Sequence, residues 1–205
     1  MHLYDHAESG NCYKVRLLLT QLGIPFTTES VSVTGDRDAQ RGPAFFARNP
    51  IGKIPTLVLD DGTALAESTA ILWYLAEGTP FLPDDKLERA RVLSWMAFEQ
   101  NNHEPSIATA RHQVALADDE DPTPAQIEGW QAAGNRALGV MERWLTDHDW
   151  FAAGRYTIAD IALYAYTHVA DEGPFSLEPY PAVRRWLARV AAQPGHVPIR
   201  PAPNR

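Results

Sequence analysis

Residues 49–59 form the stretch best suited to binding an extended ligand through its backbone. Pro55 fixes φ and removes one backbone donor directly before an apolar run that is typical of a buried strand. A cis Ile54–Pro55 bond would turn the Ile54 peptide groups outward, where a peptide could pair with them as an added strand does. A purely structural corner is the alternative, and the local sequence leaves both interpretations open.

The elements around this stretch predict an α/β domain. A first strand is predicted at residues 2–4, a helix through residues 15–22 and a second strand at residues 26–33. Asp61-Gly62 predicts a hairpin between two further strands, and Glu67-Ser68 opens another helix. A strand–helix–strand crossover makes a parallel pair with the helix packed on the sheet. The order βαβ-ββα is that of a thioredoxin-like domain.

The second half of the chain predicts only helices, arranged as an all-α helical bundle. Residues 79–85 hold two prolines and two acidic residues, a composition that suits a linker. The predicted domains are therefore residues 1–78 and 86–205, with the linker between them. Beyond the last helix the tail has no helical pattern, and we expect it to lie extended on the surface.

Local signals mark several helix boundaries in this half. Thr123 with Gln126, and Thr157 with Asp160, stand at the spacing of capping boxes, in which each side chain bonds the other residue's backbone N–H. Pro105 lies inside a long helical pattern and is expected to kink that helix.

Composition narrows the classes of function. The formal charge of −8 and the pI near 5.3 argue against nucleic-acid binding, which needs clustered Lys and Arg. The single cysteine excludes an internal disulfide and suits a reducing cytoplasm, and the seven histidines lack the spacing of a metal site. With no signal peptide and no apolar run of membrane-spanning length, we expect a cytoplasmic protein without metal, membrane or nucleic-acid partners.

Three motifs in order resemble those of the glutathione transferase superfamily. They are Asn49-Pro-x-Gly-Lys-Ile-Pro-Thr-Leu, then Asp61-Gly-x-x-Leu-x-Glu-Ser-x-Ala-Ile, and finally Thr157-Ile-Ala-Asp. The resemblance covers essentially the whole chain. It implies a glutathione-binding thioredoxin-like domain and an all-α domain with electrophile and dimer contacts. A homodimer with glutathione as co-substrate is therefore expected.

The resemblance also implies how glutathione is held. Lys53 would meet the glycine carboxylate, and the Ile54 backbone would pair with the cysteinyl residue. Glu67 and Ser68 would hold the γ-glutamyl end. The physical chemistry agrees, because a helix N-terminus such as that at Ser68 favours a carboxylate and Glu67 can pair with the ligand ammonium. Gln40, in the loop before the first motif, is a further candidate, with a solvated amide as the alternative.

The thiol chemistry is expected at Ser9-Gly10-Asn11-Cys12. A redox dithiol here would read Cys-x-x-Cys, but Ser9 takes the attacking position and Cys12 the less accessible one. The order Ser-x-Asn-x-x-Lys is similar to that of bacterial nu-type members, and theta-like members also carry Ser. The resemblance implies that Ser9, helped by Asn11 and the helix N-terminus, donates to the glutathione sulfur and lowers its pKa. Helix capping is the alternative role, and Lys14 is interpreted as a solvated residue.

The electrophile site is less well marked. His103 is interpreted as contacting a ligand or, preferentially, a partner subunit. Tyr164 and His168 are candidates for shaping the electrophile pocket, although core packing explains the tyrosine equally well. The predicted function is a detoxifying glutathione transferase, with disulfide reductase or peroxidase side activity. The alternatives are a glutathione-dependent disulfide-bond oxidoreductase and a non-catalytic glutathione-binding or scaffold protein.

Overall fold

The computed structural model describes residues 1–32, 37–117 and 121–200, and the side chains of residues 37–41 lie outside that description. The chain divides into two compact units. One unit comprises Met1–Glu77 together with residues 194–200, and the other comprises Gly78–Gln193. Residues 194–200 thus belong to the first unit, whereas the predicted helical domain, residues 86–205, included them.

In its described residues, the first unit is a four-stranded mixed sheet with three helices. Its elements are β1 His2–Asp5, α1 Gly10–Gln21, β2 Thr27–Ser30, α2 Arg37–Arg48, β3 Thr56–Val58, β4 Ala64–Ala66 and α3 Ser68–Ala76. The strand order is β2-β1-β3-β4, with β1 parallel to β2 and antiparallel to β3, and β3 antiparallel to β4. This confirms the predicted thioredoxin-like architecture.

The register of the sheet decides which loops lie at the same end. Tyr4 pairs with Thr56, and Thr56 pairs with Ala66. Because β3 runs opposite to both of its neighbours, its N-terminal end meets the C-terminal ends of β1 and β4. The β1–α1 loop, the turn before β3 and the start of α3 therefore gather at one end of the sheet.

The predicted hairpin at Asp61-Gly62 is confirmed. The Leu59 N–H donates to the Thr63 carbonyl at 2.8 Å, and Gly62 adopts a φ of 87°, a conformation that glycine tolerates best. Helix α2, in contrast, was not predicted, since those residues were interpreted as a loop. Gly42, with a φ of 66°, and the following Pro43 interrupt this helix and hide its periodicity in the sequence.

The second unit is wholly helical in its described part. Its elements are α4 Lys86–Phe98, a π-helical turn Glu99–His103, α5 Glu104–Arg111, a second π-helical turn His112–Leu116, α6 Pro124–Asp147, α7 Ile158–Thr167, a 3₁₀ turn Ala170–Glu172 and α8 Pro181–Ala191. None of the helices in the described parts of the chain is long and apolar enough to cross a membrane.

Pro105 changes the pitch of the helix in which it lies. It stands in the first turn of α5, directly after the π-helical turn Glu99–His103. Proline has no N–H to donate, and its ring crowds the carbonyl four residues earlier. The wider π turn accommodates both effects. A change of helical pitch therefore accompanies the proline at which the sequence predicted a kink.

The capping box at the start of α7 is confirmed and extends into the core. Asp160 Oδ2 accepts the Thr157 N–H at 2.9 Å, while Thr157 Oγ1 accepts the Ala159 N–H at 3.3 Å. Asp160 Oδ1 also accepts from Trp186 Nε1 at 3.0 Å and from the Phe151 N–H at 3.3 Å. One buried carboxyl group thus joins α7, α8 and the loop before α7.

Replacing Asp160 by Asn is expected to lower the free energy of unfolding by about 1–3 kcal/mol, since an amide cannot accept from all of the same donors. Burial raises the pKa of Asp160 to about 6 because it penalises the charged form. The folded chain thus holds this proton more tightly than the unfolded chain, and the wild type loses stability as the pH rises between about 4 and 6. The deficit of the Asp160→Asn variant should therefore be larger near pH 4 than near pH 7.

Urea unfolding followed by tryptophan fluorescence measures this deficit at each pH. Asp147→Asn, at an exposed position of α6, is the matched control. A deficit that grows with pH would contradict the raised pKa.

Candidate functional site

Ser9 caps helix α1. Its Oγ accepts a hydrogen bond from the Cys12 N–H at 3.2 Å, and its carbonyl accepts one from the Tyr13 N–H at 2.9 Å. Ser9 therefore caps the helix, which was the alternative to thiol activation in the sequence-based interpretation. A hydroxyl can accept and donate at the same time, so this cap is compatible with donation of the O–H to a ligand.

Asn11 joins the starts of two helices. Its Oδ1 lies 2.7 Å from Lys14 Nζ and 3.1 Å from Ser68 Oγ, which is the first residue of α3. Ser68 itself is almost completely buried. The side chain of Lys14 has no exposed surface, so the interpretation of Lys14 as a solvated residue is wrong. The β1–α1 loop and the Glu67-Ser68 motif are thus held together directly.

Glu67 carries an unusual backbone conformation at the start of α3. Its φ of 69° lies in the left-handed region, which is uncommon for a residue other than glycine. Its carbonyl accepts the Ile71 N–H at 2.9 Å and so closes the first helical turn, while the residue as a whole is exposed. Such conformations cluster at ligand-binding sites.

Asn49 shapes the loop that leads into β3, and the sequence analysis did not select it as a site residue. Its Nδ2 donates to the Lys53 carbonyl at 2.7 Å and to Thr56 Oγ1 at 2.8 Å, and its Oδ1 accepts the Ile51 N–H at 3.0 Å. An Asn that bonds the backbone two residues later is typical of a turn, which is the signal that could have identified it.

The loop also requires glycine at position 52. The φ of Gly52 is 71°, and a Cβ atom added there would lie only 2.6 Å from Cε1 of Phe46. The next residue, Lys53, is exposed, and the Ile54–Pro55 bond is cis. Among the described residues, the Ile54 peptide groups have no hydrogen-bond partner.

Arg16 holds the β1–α1 loop in place through several hydrogen bonds, a role that its sequence context does not predict. Its guanidinium pairs with the Asp5 carboxylate and donates to the carbonyls of His6 and Ala7, each at 3.1 Å. It also donates to the Ile199 carbonyl at 2.9 Å. A single planar donor group therefore ties the loop before Ser9 to the end of the chain.

The C-terminal strap, residues 194–200, lies along the start of α1. The Tyr13 hydroxyl donates to the Val197 carbonyl at 2.7 Å, and Arg200 Nε lies 2.7 Å from Glu8 Oε1. Ile199 is buried. The strap is not helical, as expected, but it is an integral part of the first unit.

Cys12 lies in an environment that disfavours its thiolate form. Its side chain is fully buried, and burial raises the pKa of its thiol to about 12, with only partial compensation from the hydrogen bond to Ser9. A thiol that stays protonated is a poor nucleophile. Cys12 is therefore a poor candidate for a reactive thiol at this loop.

The remaining candidates belong to the second unit, except Gln40. His103 has no exposed surface and lies 2.9 Å from Thr167 Oγ1, whose hydroxyl donates to the Leu163 carbonyl. The histidine Nε2 is therefore the donor to Thr167. A residue without exposed surface cannot contact a partner subunit, so the structure favours core packing for His103.

Tyr164 and His168 stack in parallel on α7, with ring centroids 4.5 Å apart. Tyr164 is buried against Trp186, and burial raises the pKa of its hydroxyl to about 12. These contacts favour core packing for the tyrosine, while His168 is half-buried. The side chain of Gln40 lies outside the described residues.

The fold and the site define the class of protein. A thioredoxin-like unit with two helix N-termini beside a cis-proline turn is followed along the chain by an all-helical unit. The family model for the glutathione S-transferase N-terminal domain matches residues 8–77, and that for the glutathione S-transferase C-terminal domain matches residues 108–194. The chain belongs to the glutathione transferase superfamily.

Known proteins from several bacteria are similar to this chain along most of its length. Maleylacetoacetate isomerase of Pseudomonas aeruginosa PAO1 is 30% identical, covering 98% of this chain and 96% of the relative. Disulfide-bond oxidoreductase YfcG of Escherichia coli K12 is also 30% identical, with coverage of 92% and 89%. The crystal structure of a glutathione S-transferase from Pseudomonas fluorescens Pf-5 is 46% identical, with a TM-score of 0.90 and coverage of 97% and 98%.

Replacing Arg16 by Met should loosen both segments that its guanidinium holds. Asp5 would be left as a largely buried carboxylate without its partner, a loss that typically costs about 3–5 kcal/mol. We expect amide hydrogen exchange to rise by roughly tenfold or more in residues 5–9 and 194–200, with smaller changes elsewhere in the unit. Exchange measured by mass spectrometry tests this directly.

Arg189→Met provides the control, because it removes a guanidinium that bonds Asp149 in the second unit. Unchanged exchange in the strap of the Arg16→Met variant would show that Arg16 does not hold it.

Proposed function

We propose that the protein is a glutathione transferase that binds glutathione in the first unit and activates its thiol for attack on a small electrophile. The hydrogen bond between Ser68 and Asn11, at 3.1 Å, is the observation that carries this proposal. It joins the helix start assigned to the γ-glutamyl end of glutathione to the helix start assigned to its sulfur. A site for the whole tripeptide requires this proximity.

The charges of the proposed site complement those of glutathione, which has two carboxylates and one ammonium. The exposed Lys53 pairs with the glycine carboxylate and the exposed Glu67 with the ammonium. The backbone N–H groups at the N-terminus of α3, including that of Ser68, receive the γ-glutamyl carboxylate, because helix N-termini favour anions. The Ile54 peptide groups pair with the cysteinyl residue, and Gln40 is a further contact.

Thiol activation follows from hydrogen-bond donors near a helix N-terminus. The Ser9 hydroxyl and the Asn11 amide donate to the sulfur, and the dipole of α1 adds to their effect. A thiol with a pKa of about 8.5 is only about 3% ionised at pH 7, and lowering the pKa by roughly two units raises this to about three-quarters. The residues thus increase the concentration of the nucleophile without becoming nucleophiles themselves.

Glutathione-dependent disulfide reduction is the second candidate, favoured by the similarity to the Escherichia coli disulfide-bond oxidoreductase. The glutathione thiolate attacks a disulfide, a mixed disulfide forms, and one thiolate leaves. A second glutathione thiolate then releases the other half and forms glutathione disulfide. Because Cys12 is buried and protonated, bound glutathione supplies the sulfur in this reaction.

Both reactions begin with the same thiolate. Isomerisation, the reaction class in the name of the Pseudomonas aeruginosa relative, is a third reaction to assay in this protein. A non-catalytic glutathione-binding protein would bind the tripeptide without turnover. A homodimer, a cytoplasmic location and a role in detoxification belong to the same proposal, from the expectation for the family.

The Ser9→Ala, Asn11→Ala double variant should lose turnover while keeping its ligand. We expect conjugation of 1-chloro-2,4-dinitrobenzene at pH 7 to fall by roughly a hundredfold, since each lost donor removes stabilisation of the thiolate. The dissociation constant for S-methylglutathione, which has no thiol, should stay within about threefold. The same assays with 2-hydroxyethyl disulfide compare the two reactions.

Ser94→Ala, at an exposed position of α4, is the control for this experiment. Unchanged turnover in the double variant would refute the role of Ser9 and Asn11. Failure of the wild type to bind glutathione would overturn the proposed function as a whole.

Lys53→Met tests recognition of the glycine carboxylate. We expect the dissociation constant for glutathione to rise by about tenfold, through loss of a charge-assisted contact worth roughly 1.5 kcal/mol, with little change in kcat. The monoethyl ester of the glycine carboxyl lacks that charge and should bind the variant and the wild type equally. Calorimetric titration measures both ligands, with Lys86→Met as the control.

If the variant weakened glutathione and its ester to the same extent, Lys53 would act on the fold of the loop and not on the carboxylate.

A further inference from the structure

We propose that Lys14 is a positioning residue for thiol activation, whose buried ammonium fixes the Asn11 amide so that its N–H groups, and not its oxygen, face the glutathione sulfur. The inference rests on the proposed function and assigns a new role within the same site. It explains why a lysine lies buried behind a loop that must stabilise an anion.

The contact between Lys14 and Asn11 sets the orientation of the amide. Lys14 Nζ lies 2.7 Å from Asn11 Oδ1, and the lysine side chain has no exposed surface. An ammonium has three donors and no acceptor, so the amide atom that faces it must be the oxygen. The Ser68 hydroxyl, whose Oγ lies 3.1 Å from the same oxygen, donates a second hydrogen bond to it and so favours the same orientation of the amide.

This orientation decides what Asn11 offers to a ligand. An amide that turns by half a rotation about its last torsion exchanges oxygen and nitrogen with little change in shape. Without the cation, the oxygen of Asn11 could therefore face the thiolate and repel it. With the cation in place, Asn11 can present only N–H donors.

The charge of Lys14 also strengthens those donors. A cation on the carbonyl oxygen polarises the amide, and polarised hydrogen-bond chains are stronger than isolated bonds. A positive charge behind the loop further favours the ionised form of a nearby thiol. The orientation of the amide, its polarisation and the charge of Lys14 all lower the pKa of the bound thiol.

Charged groups of the β1–α1 loop have partners of their own, and Glu77 follows α3, the helix that packs on α1. Asp5 pairs with Arg16, Glu8 pairs with Arg200, and His6 Nδ1 accepts the Glu8 N–H at 3.3 Å. Glu67, at the start of α3, is assigned to the ammonium of the ligand. Of these charged groups, Lys14 is the one that contacts the Asn11 side-chain oxygen.

The test is the pKa of the bound glutathione thiol, measured from the ultraviolet absorbance of the thiolate as a function of pH. Lys14→Met keeps the length of the side chain and removes its charge. We expect this pKa to rise by roughly one unit or more, while the dissociation constant for S-methylglutathione stays within about threefold. Lys86→Met, which removes an exposed ammonium in the second unit, should leave both values unchanged.

A double-mutant cycle shows whether Lys14 acts through Asn11. If it does, Lys14→Met added to the Asn11→Ala background should change the thiol pKa by less than about a third of its effect in the wild type, because contacting residues are non-additive. Ser68→Ala, which removes the other donor to the same oxygen, should raise the pKa by a smaller amount. That variant tests the mechanism even if Lys14→Met folds poorly.

Three results would overturn the inference. They are an unchanged thiol pKa in a folded Lys14→Met variant, an equal effect of Lys14→Met with and without Asn11, and a loss of S-methylglutathione binding without a change in thiol pKa. A wild type that binds no glutathione would instead refute the proposed function.

Discussion

Tyr4 pairs with Thr56 and Thr56 with Ala66, and this antiparallel register decides which loops of the first unit can meet. A shift of one residue would exchange the two faces of a strand. It would also move the turn before β3 relative to the starts of α1 and α3. Every residue assigned to glutathione in this unit, apart from Gln40, belongs to one of those three segments. The register of the sheet therefore fixes the relative positions of the residues assigned to glutathione.

Side chains with several hydrogen bonds hold these segments rigidly. Asn49 shapes the turn before β3, Arg16 fixes the β1–α1 loop, and Asn11 joins that loop to α3. Each of these groups presents a planar amide or guanidinium to backbone or side-chain partners, a geometry that restrains orientation as well as distance. A preorganised donor set stabilises an anion without having to rearrange when the anion forms.

Features that depend on neighbouring residues were predicted from the sequence, and features that depend on distant packing were not. The hairpin at Asp61-Gly62 and the capping box of Asp160 each leave a local signal, whereas the sequence around Pro55 left both a peptide-docking cis bond and a plain structural corner open. The burial of Lys14 and His103 leaves none, because hydropathy predicts that such residues are exposed. Only the packing of other elements around them, many residues away in sequence, decides otherwise. The same holds for the contacts of the C-terminal strap.

The C-terminal strap also affects the order in which the contacts of the first unit can form during synthesis. Domains generally form as the chain leaves the ribosome, starting from the N-terminus. The first unit, however, includes residues that are synthesised after the entire helical unit. Its β1–α1 loop gains the Ile199 and Arg200 contacts only when these two residues have been synthesised. A nascent chain can thus form the sheet of the first unit before residues 194–200 supply their contacts to the β1–α1 loop.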